Sequence, residues 1–433
     1  MFSLSVRSLA GDVRRGGIGV LCRYRERWRT SLQRTLRADR YRLVLVERLN
    51  TPSKNFTCCR KFCLKVKIEK IAVWGIQMPF REGPYAMSHV TQEVVYGRVL
   101  QVHTVDGQTG LGEVVFPPTL SVDEQQQLIA DEPLYLSSLA GKDVDGLIQL
   151  AQELCGRGRS WHGVAVGFET AGYDLLGKAG GLPVSDVLGG RLGEGVDDYF
   201  SISESTIEKI RKRLAIAGSE RKVIQLKLGI GSPGDDVEQV SAALSNMADR
   251  QILLADANGG WSVDTACEII SCFKDSRIVW EEACWTYDEN AEVARRTGQS
   301  VMVDQCVKEA SLARKAVDDR LVSSLCIKPA FLGGLTVARD IRDYCVSSGM
   351  KMRVDGPWCG DIATAAILHL AGGAPPDLLI AGCDLREALV REQDLNGVVS
   401  FDGCRIGPPS GPGLGITLPD SVMGDPDANY SIR

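Results

Sequence analysis

Residues 222–231 read KVIQLKLGIG, a mostly apolar run interrupted by Lys227. A strand buried on both faces of a sheet reads as continuous Val, Ile and Leu. An ammonium inside such a strand is costly unless it has a partner or a task. Whether Lys227 stands alone or belongs to a set therefore decides what kind of sheet holds it.

The flanking sequence answers with a rhythm. From about residue 196, short apolar segments alternate with amphipathic stretches of helical period. The other segments are DDYFSIS (197–203), QILLADAN (251–258), RIVWEEA (277–283), SVMVDQC (300–306), SSLCIKP (323–329), MKMRVDG (350–356) and DLLIAGCD (377–384). Eight strands alternating with helices over roughly 190 residues is the pattern of a closed parallel barrel. Upstream the texture differs. VKIEKIAVWGIQMPF (66–80) and GRVLQVHTVDGQTGLGEVVF (97–116) alternate as strands do, and helical stretches follow as far as WHGVAVGFETAGYDLLGKAGG (161–181). Strands first and helices after is an α+β arrangement. The predicted fold is thus α/β: a modified TIM (β/α)7β barrel over 196–394 with an α+β capping domain over 66–195. Residues 395–433 are expected to return to the capping domain, and 1–65 to lie outside the fold.

Composition sets further bounds. Of 433 residues, 44% are hydrophobic and 24% charged, which suits a chain with a large packed core. No run approaches the roughly 18 apolar residues of a membrane span, so no membrane partner is expected. Residues 1–65 hold 16 Lys and Arg against four acids, a net +12, which leaves −17 for the rest of a chain of net charge −5. The acidic body offers no general attraction to nucleic acid. The basic head is open to three readings: a dispensable extension, a mitochondrial targeting segment, or a tail that binds RNA or membrane. Fourteen cysteines scattered through mostly apolar contexts suit reduced thiols and a cytoplasmic location. Four histidines make a His-rich metal site improbable.

In such barrels the active site lies at the C-terminal ends of the strands. The polar interruptions fall there: Lys227 on the second strand, Asp256 on the third, Glu281 on the fourth, Asp304 on the fifth, Lys328 on the sixth, and Asp355 and Trp358 on the seventh. Asp256 to Glu281 is 25 residues and Glu281 to Asp304 is 23, one β/α unit each. Three carboxylates brought to one spot would repel and raise each other's pKa. A hard divalent cation relieves that, and all-oxygen ligands select Mg²⁺, with Mn²⁺ as the alternative. The bland reading is a charged plug of ion pairs between acids and lysines; five such residues at equivalent strand positions weigh against it. The two lysines lie four strands apart in a ring of eight, and so are expected to face each other across the barrel mouth. A lysine desolvated beside a cation has a lowered pKa and can serve as a base near neutrality. Two of them on opposite faces of a carbon suit removal of a proton from one side and delivery from the other.

This arrangement resembles the enolase superfamily, within it the muconate lactonizing enzyme subgroup, over about residues 66–425. The family's Asp, Glu and Asp magnesium ligands match Asp256, Glu281 and Asp304, and its catalytic lysines match Lys227 and Lys328. QLKLG, LLADANGGW, TYDENAEVARRT and PWCGDIATAAILHLA look like the branch acting on proline-derived substrates, the cis-3-hydroxy-L-proline dehydratases and proline betaine epimerases. The resemblance implies a small amino-acid-like carboxylate as substrate and a homo-oligomer as the assembly. It makes Trp358 the aromatic that meets the substrate's ring nitrogen, and Tyr85 a residue of the capping lid. Gln225, Asp355, Tyr85 and Trp358 are the expected substrate contacts.

Departures from the family pattern carry their own expectations. Gln225 stands where most of the subgroup has the first lysine of Lys-x-Lys, and Gln305 replaces a carboxylate after Asp304. The loss of that carboxylate is expected to lower the pKa of Lys328. The first functional expectation is Mg²⁺-assisted proton abstraction α to a carboxylate with loss of a β-hydroxyl, a dehydratase of hydroxyproline type. The second is a racemase or epimerase of proline betaine or a related amino acid. A third, from another class, is a catalytically silent barrel with an RNA-binding basic tail.

Overall fold

The computed structural model describes residues 66–382, 389–390, 400–401, 404–418 and 423–432. The basic head and the readings attached to it lie outside the described residues, as does part of the 395–433 segment. The chain opens with β1 (Ile68–Pro79), a short hairpin of β2 (Tyr85–Ala86) and β3 (Thr91–Gln92), then β4 (Val94–Thr104) and β5 (Thr109–Val115). β1, β4 and β5 form an antiparallel meander, turned at Gly107, whose φ of +83° a side chain would disfavour. Three helices follow, and a fourth, His162–Gly180, lies across β5. That approach is close because both partners lack side chains where they cross. A Cβ on Gly112 would sit 2.1 Å from the Gly167 carbonyl oxygen. Ile71, Leu100, Val102, Leu147, Leu154 and Phe168 fill the space between sheet and helices.

After β6 (Val196–Asp197) come the barrel strands: β7 (Tyr199–Ile202), β8 (Val223–Lys227), β9 (Ile252–Asp256), β10 (Ile278–Glu281), β11 (Val301–Val303), β12 (Ser324–Ile327), β13 (Lys351–Val354) and β14 (Leu379–Gly382). They pair in parallel in chain order, and a bridge between Asp198 and Gly382 joins the two ends of the sheet. The helices between them start at polar caps such as Ser232 and Thr286, whose hydroxyls accept the Asp235 and Glu289 amides. β15 (Ser400–Phe401) pairs with β16 (Arg405–Gly407), which pairs with β6, and β17 (Ala428–Ser431) pairs antiparallel with β1, completing the four-stranded sheet that the chain began. Among the described residues no helix is long and apolar enough to cross a membrane.

Candidate active site

Register sets the site. Lys227 stands opposite Asp256 in the β8–β9 ladder, and Asp256 opposite Glu281 in the β9–β10 ladder. Asp304 directly follows β11, Lys328 follows β12 and Asp355 follows β13. The C-terminal ends of six consecutive strands therefore carry a ring of charge, nearly all of it buried.

The ring is cross-linked. Lys227 Nζ donates to Asp256 Oδ2 at 2.5 Å, and Lys328 Nζ to Asp304 Oδ2 at 2.8 Å. Gln225 Nε2 donates to both Asp256 Oδ2 (3.1 Å) and Glu281 Oε2 (3.0 Å). Arg353, only 1% exposed, sets its guanidinium fork on both oxygens of Glu281 and reaches Asp355 Oδ2 at 3.3 Å and Asp304 Oδ2 at 3.7 Å. Glu282, in the left-handed region at φ 45°, accepts the amides of Asp304 and Cys306 and so fixes the end of β11.

These contacts correct one expectation. The sequence predicts lowered pKa values for both lysines, and the structure raises them. Burial alone would pull Lys227 down, but the carboxylate of Asp256, helped by Tyr85 and Glu281, outweighs it. For Lys328 burial is likewise outweighed, by Asp304, so losing a carboxylate at position 305 leaves it with a partner after all. The three carboxylates lie side by side through shared donors, Gln225 between Asp256 and Glu281 and Arg353 between Glu281 and Asp304. Among the described residues no group of three or more His, Cys, Asp or Glu is gathered closely enough to hold a metal ion as it stands. Each faces a protein donor instead: Lys227 and Gln225, Arg353, or Lys328.

The donor set nevertheless fits a hard cation. Asp304 Oδ1 and Asn258 Oδ1 are buried acceptors with no hydrogen-bond partner among the described residues. Burial raises the pKa of Glu281, and Asp256 and Asp304 add to the rise against the pull of Arg353. Glu282 is pushed up to about 8 by burial and by Asp304. A site with surplus buried acceptors and carboxylates that resist ionisation is short of positive charge.

The expected substrate contacts divide. Tyr85 and Trp358 come together with their ring centroids 5.0 Å apart, beside Phe80. The Trp358 indole N–H is buried and has no partner among the described residues, a donor open to an acceptor. Gln225 and Asp355 are already engaged: both Gln225 amide hydrogens point at carboxylates, and Asp355 accepts from Tyr199 Oη (3.1 Å) and the Gly356 amide (2.8 Å). Sequence reasoning missed Arg353. The signal was present, since an arginine inside MKMRVDG breaks an apolar strand as Lys227 does in its own.

Residues 70–189 match the family described as "Mandelate racemase / muconate lactonizing enzyme, N-terminal domain", and 207–422 match "Enolase C-terminal domain-like". A cis-3-hydroxy-L-proline dehydratase from Roseibium aggregatum is 30% identical over 383 residues, covering 84% of this chain and 100% of that protein. The chain belongs to the enolase superfamily. A chloromuconate cycloisomerase from Pseudomonas putida is 25% identical over 371 residues, 82% of this chain and 98% of its own. The crystal structure of an enolase superfamily member from Roseovarius nubinhibens ISM, complexed with magnesium, aligns with a TM-score of 0.75 at 27% identity over 85% of this chain and all of that one (100%). The superfamily's dehydratases, cycloisomerases and racemases are enzymes acting on small carboxylates, and this chain is an enzyme of that family. A silent barrel no longer describes it.

Proposed function

We propose that this enolase-superfamily enzyme removes the proton α to the carboxylate of a cyclic amino acid and, from a 3-hydroxylated substrate, expels the hydroxyl as water. The observation that carries this reading is the placement of Lys227 and Lys328 at strand ends four apart in the ring, each beside a carboxylate. Asp256, Glu281 and Asp304 would hold the divalent cation, whose charge stabilises an enolate. Were Asp256 engaged as a ligand, Lys227 would lose the partner that holds its pKa up and could take the Cα proton. The Cα–H electron pair becomes the Cα=Cβ bond as the Cβ–O bond breaks, and the Lys328 ammonium donates its proton to the departing oxygen. The enamine product tautomerises to a cyclic ketimine, and proton return from Lys227 to Lys328 through solvent closes the cycle.

Opposed lysines also choose a stereoisomer. In cis-3-hydroxy-L-proline the α-hydrogen and the hydroxyl lie on opposite ring faces, and in the trans isomer on the same face. The cis isomer is therefore the expected substrate, in keeping with the name of the Roseibium relative. The matched surroundings of the two lysines, one carboxylate each at 2.5 and 2.8 Å, favour a second reading, an epimerase that needs two similar bases.

Proton NMR in D₂O with Mg²⁺ tests both. Loss of the α-proton of cis-3-hydroxy-L-proline with appearance of the ketimine supports the dehydratase. Deuterium entering Cα of both antipodes of proline betaine, with no water lost, supports the epimerase. No exchange on any member of a proline, hydroxyproline and betaine panel overturns the substrate class.

A further inference from the structure

Gln225 occupies a position from which every hydrogen in a buried chain can be placed. Its Nε2 lies against two carboxylate oxygens and its Oε1 lies 3.0 Å from Ser201 Oγ. The reverse orientation of the amide would aim an acceptor at two acceptors, so this one is forced. Oε1 cannot donate, so Ser201 spends its single hydrogen there. Ser201 Oγ can then only accept from Tyr85, whose hydroxyl is 2.6 Å away. The order of donation runs one way: Tyr85 to Ser201, Ser201 to Gln225, and Gln225 to Asp256 and Glu281.

A second thread leaves the same hairpin. Ser88, in the turn between β2 and β3, donates through Oγ to the Asn258 carbonyl at 2.9 Å, and Asn258 Nδ2 donates to Asp256 Oδ2 at 3.1 Å. Tyr85 itself is wedged by its ring against Phe80 and Trp358, so its hydroxyl has little freedom to leave Ser201. The hairpin is thus tied twice to the carboxylates at the ends of β9 and β10.

We propose that Tyr85 is a positioning residue: acting through Ser201 and Gln225, it orients the Asp256 and Glu281 carboxylates that would hold the cation, and so couples the capping hairpin to the cation site. The proposal rests on the cation reading above. It also gives Tyr85 a definite polarity, because a hydroxyl whose hydrogen is spent can meet a substrate only as an acceptor. Gln225, with both amide hydrogens spent, orients ligands and does not donate to substrate.

The test uses the full chain, labelled with ¹⁵N-glutamine, and reads two quantities: the Gln225 side-chain amide resonance, and Mn²⁺ affinity by electron paramagnetic resonance. Tyr85→Phe and Ser201→Ala are each expected to shift that resonance and to weaken Mn²⁺ about fivefold, the worth of one net hydrogen bond. The double variant is expected to be no weaker than Ser201→Ala alone, since both break one chain. An unmoved Gln225 resonance in Tyr85→Phe overturns the proposal, and so do effects that add. If the unmodified enzyme binds no Mn²⁺, the cation reading fails, while the Gln225 resonance still decides the relay. Should Ser201→Ala not fold, Tyr85→Phe decides alone, because it keeps the ring packing and loses one oxygen.

Discussion

Two buried aspartates show how differently this molecule treats charge in its two halves. Asp174, on the helix packed against β5, is fully buried and fully used. Its Oδ2 accepts from the Leu111 amide and the Lys178 ammonium, both at 2.8 Å, and its Oδ1 from the Leu414 amide at 2.7 Å. Asp304, at the barrel mouth, is as deeply buried, yet Oδ1 has no partner among the described residues. Burying a carboxylate is costly and saturating it with donors offsets the cost. A fold has no reason to bury one half-satisfied unless something else binds there. The saturated aspartate ties strand, helix and C-terminal segment together; the unsaturated one marks where chemistry is done.

The contrast can be broken at several points. The largest effect is expected from Lys227→Met, which should lower turnover by about 10²- to 10⁴-fold, the range of a general base, while circular dichroism stays that of the unmodified enzyme. A variant that keeps a tenth of its activity would remove Lys227 from the mechanism. Next comes the aspartate pair. Asp174→Asn should destabilise by roughly 3–5 kcal/mol in denaturant titration, as breaking a buried ion pair does, and leave kcat of the folded fraction alone. Asp304→Asn should cost less, because its Oδ1 has no hydrogen bond to lose, although Lys328 and Arg353 favour the ionised carboxylate, and it should abolish Mn²⁺ binding. Equal stability losses in the two variants would erase the distinction drawn between them.

His369 belongs with the saturated group: its Nδ1 accepts the Ser185 amide and its Nε2 contacts the Leu414 carbonyl. Burial depresses its pKa to about 4. The unfolded chain therefore takes the proton first as pH falls. Stability from this residue is complete above about pH 6.5 and is lost on the way down to 4, roughly 3 kcal/mol in all. Comparing the pH dependence of unfolding in the parent and His369→Asn should show that share missing from the variant. The smallest effect sharpens the picture of the mouth. Arg353→Met frees Glu281 from its clamp, so the rise in Tm on adding Mg²⁺ should grow, by the equivalent of about tenfold in affinity or 1.4 kcal/mol. An unchanged rise would mean that Arg353 does not compete for that carboxylate.

Much of this was legible in the sequence. The barrel and its register of charged strand ends follow from period and spacing alone, because a parallel strand has to end where its apolar run ends. Lys227, Asp256, Glu281, Asp304 and Lys328 stand out as polar residues at those ends. What could not be read was who faces whom. The direction of the lysine pKa shifts depends on contacts of 2.5 and 2.8 Å that spacing does not contain. Gln225 looked like the loss of a cation and is instead a two-way donor between carboxylates. Arg353 hid because it lies three strands beyond Glu281, the acid it clamps, at a distance of 72 residues in the chain.

The pairing of β17 with β1 has a consequence in time. Lys70 waits for Ser431, and Val73 for Ala428, as ladder partners. At synthesis rates of 5–20 residues per second, roughly 20 to 70 seconds separate the emergence of the first strand from that of its last neighbour. Throughout that interval one edge of β1 offers unpaired N–H and C=O groups to any passing strand. The cell must shelter a half-finished sheet while the barrel that will do the chemistry is still being made.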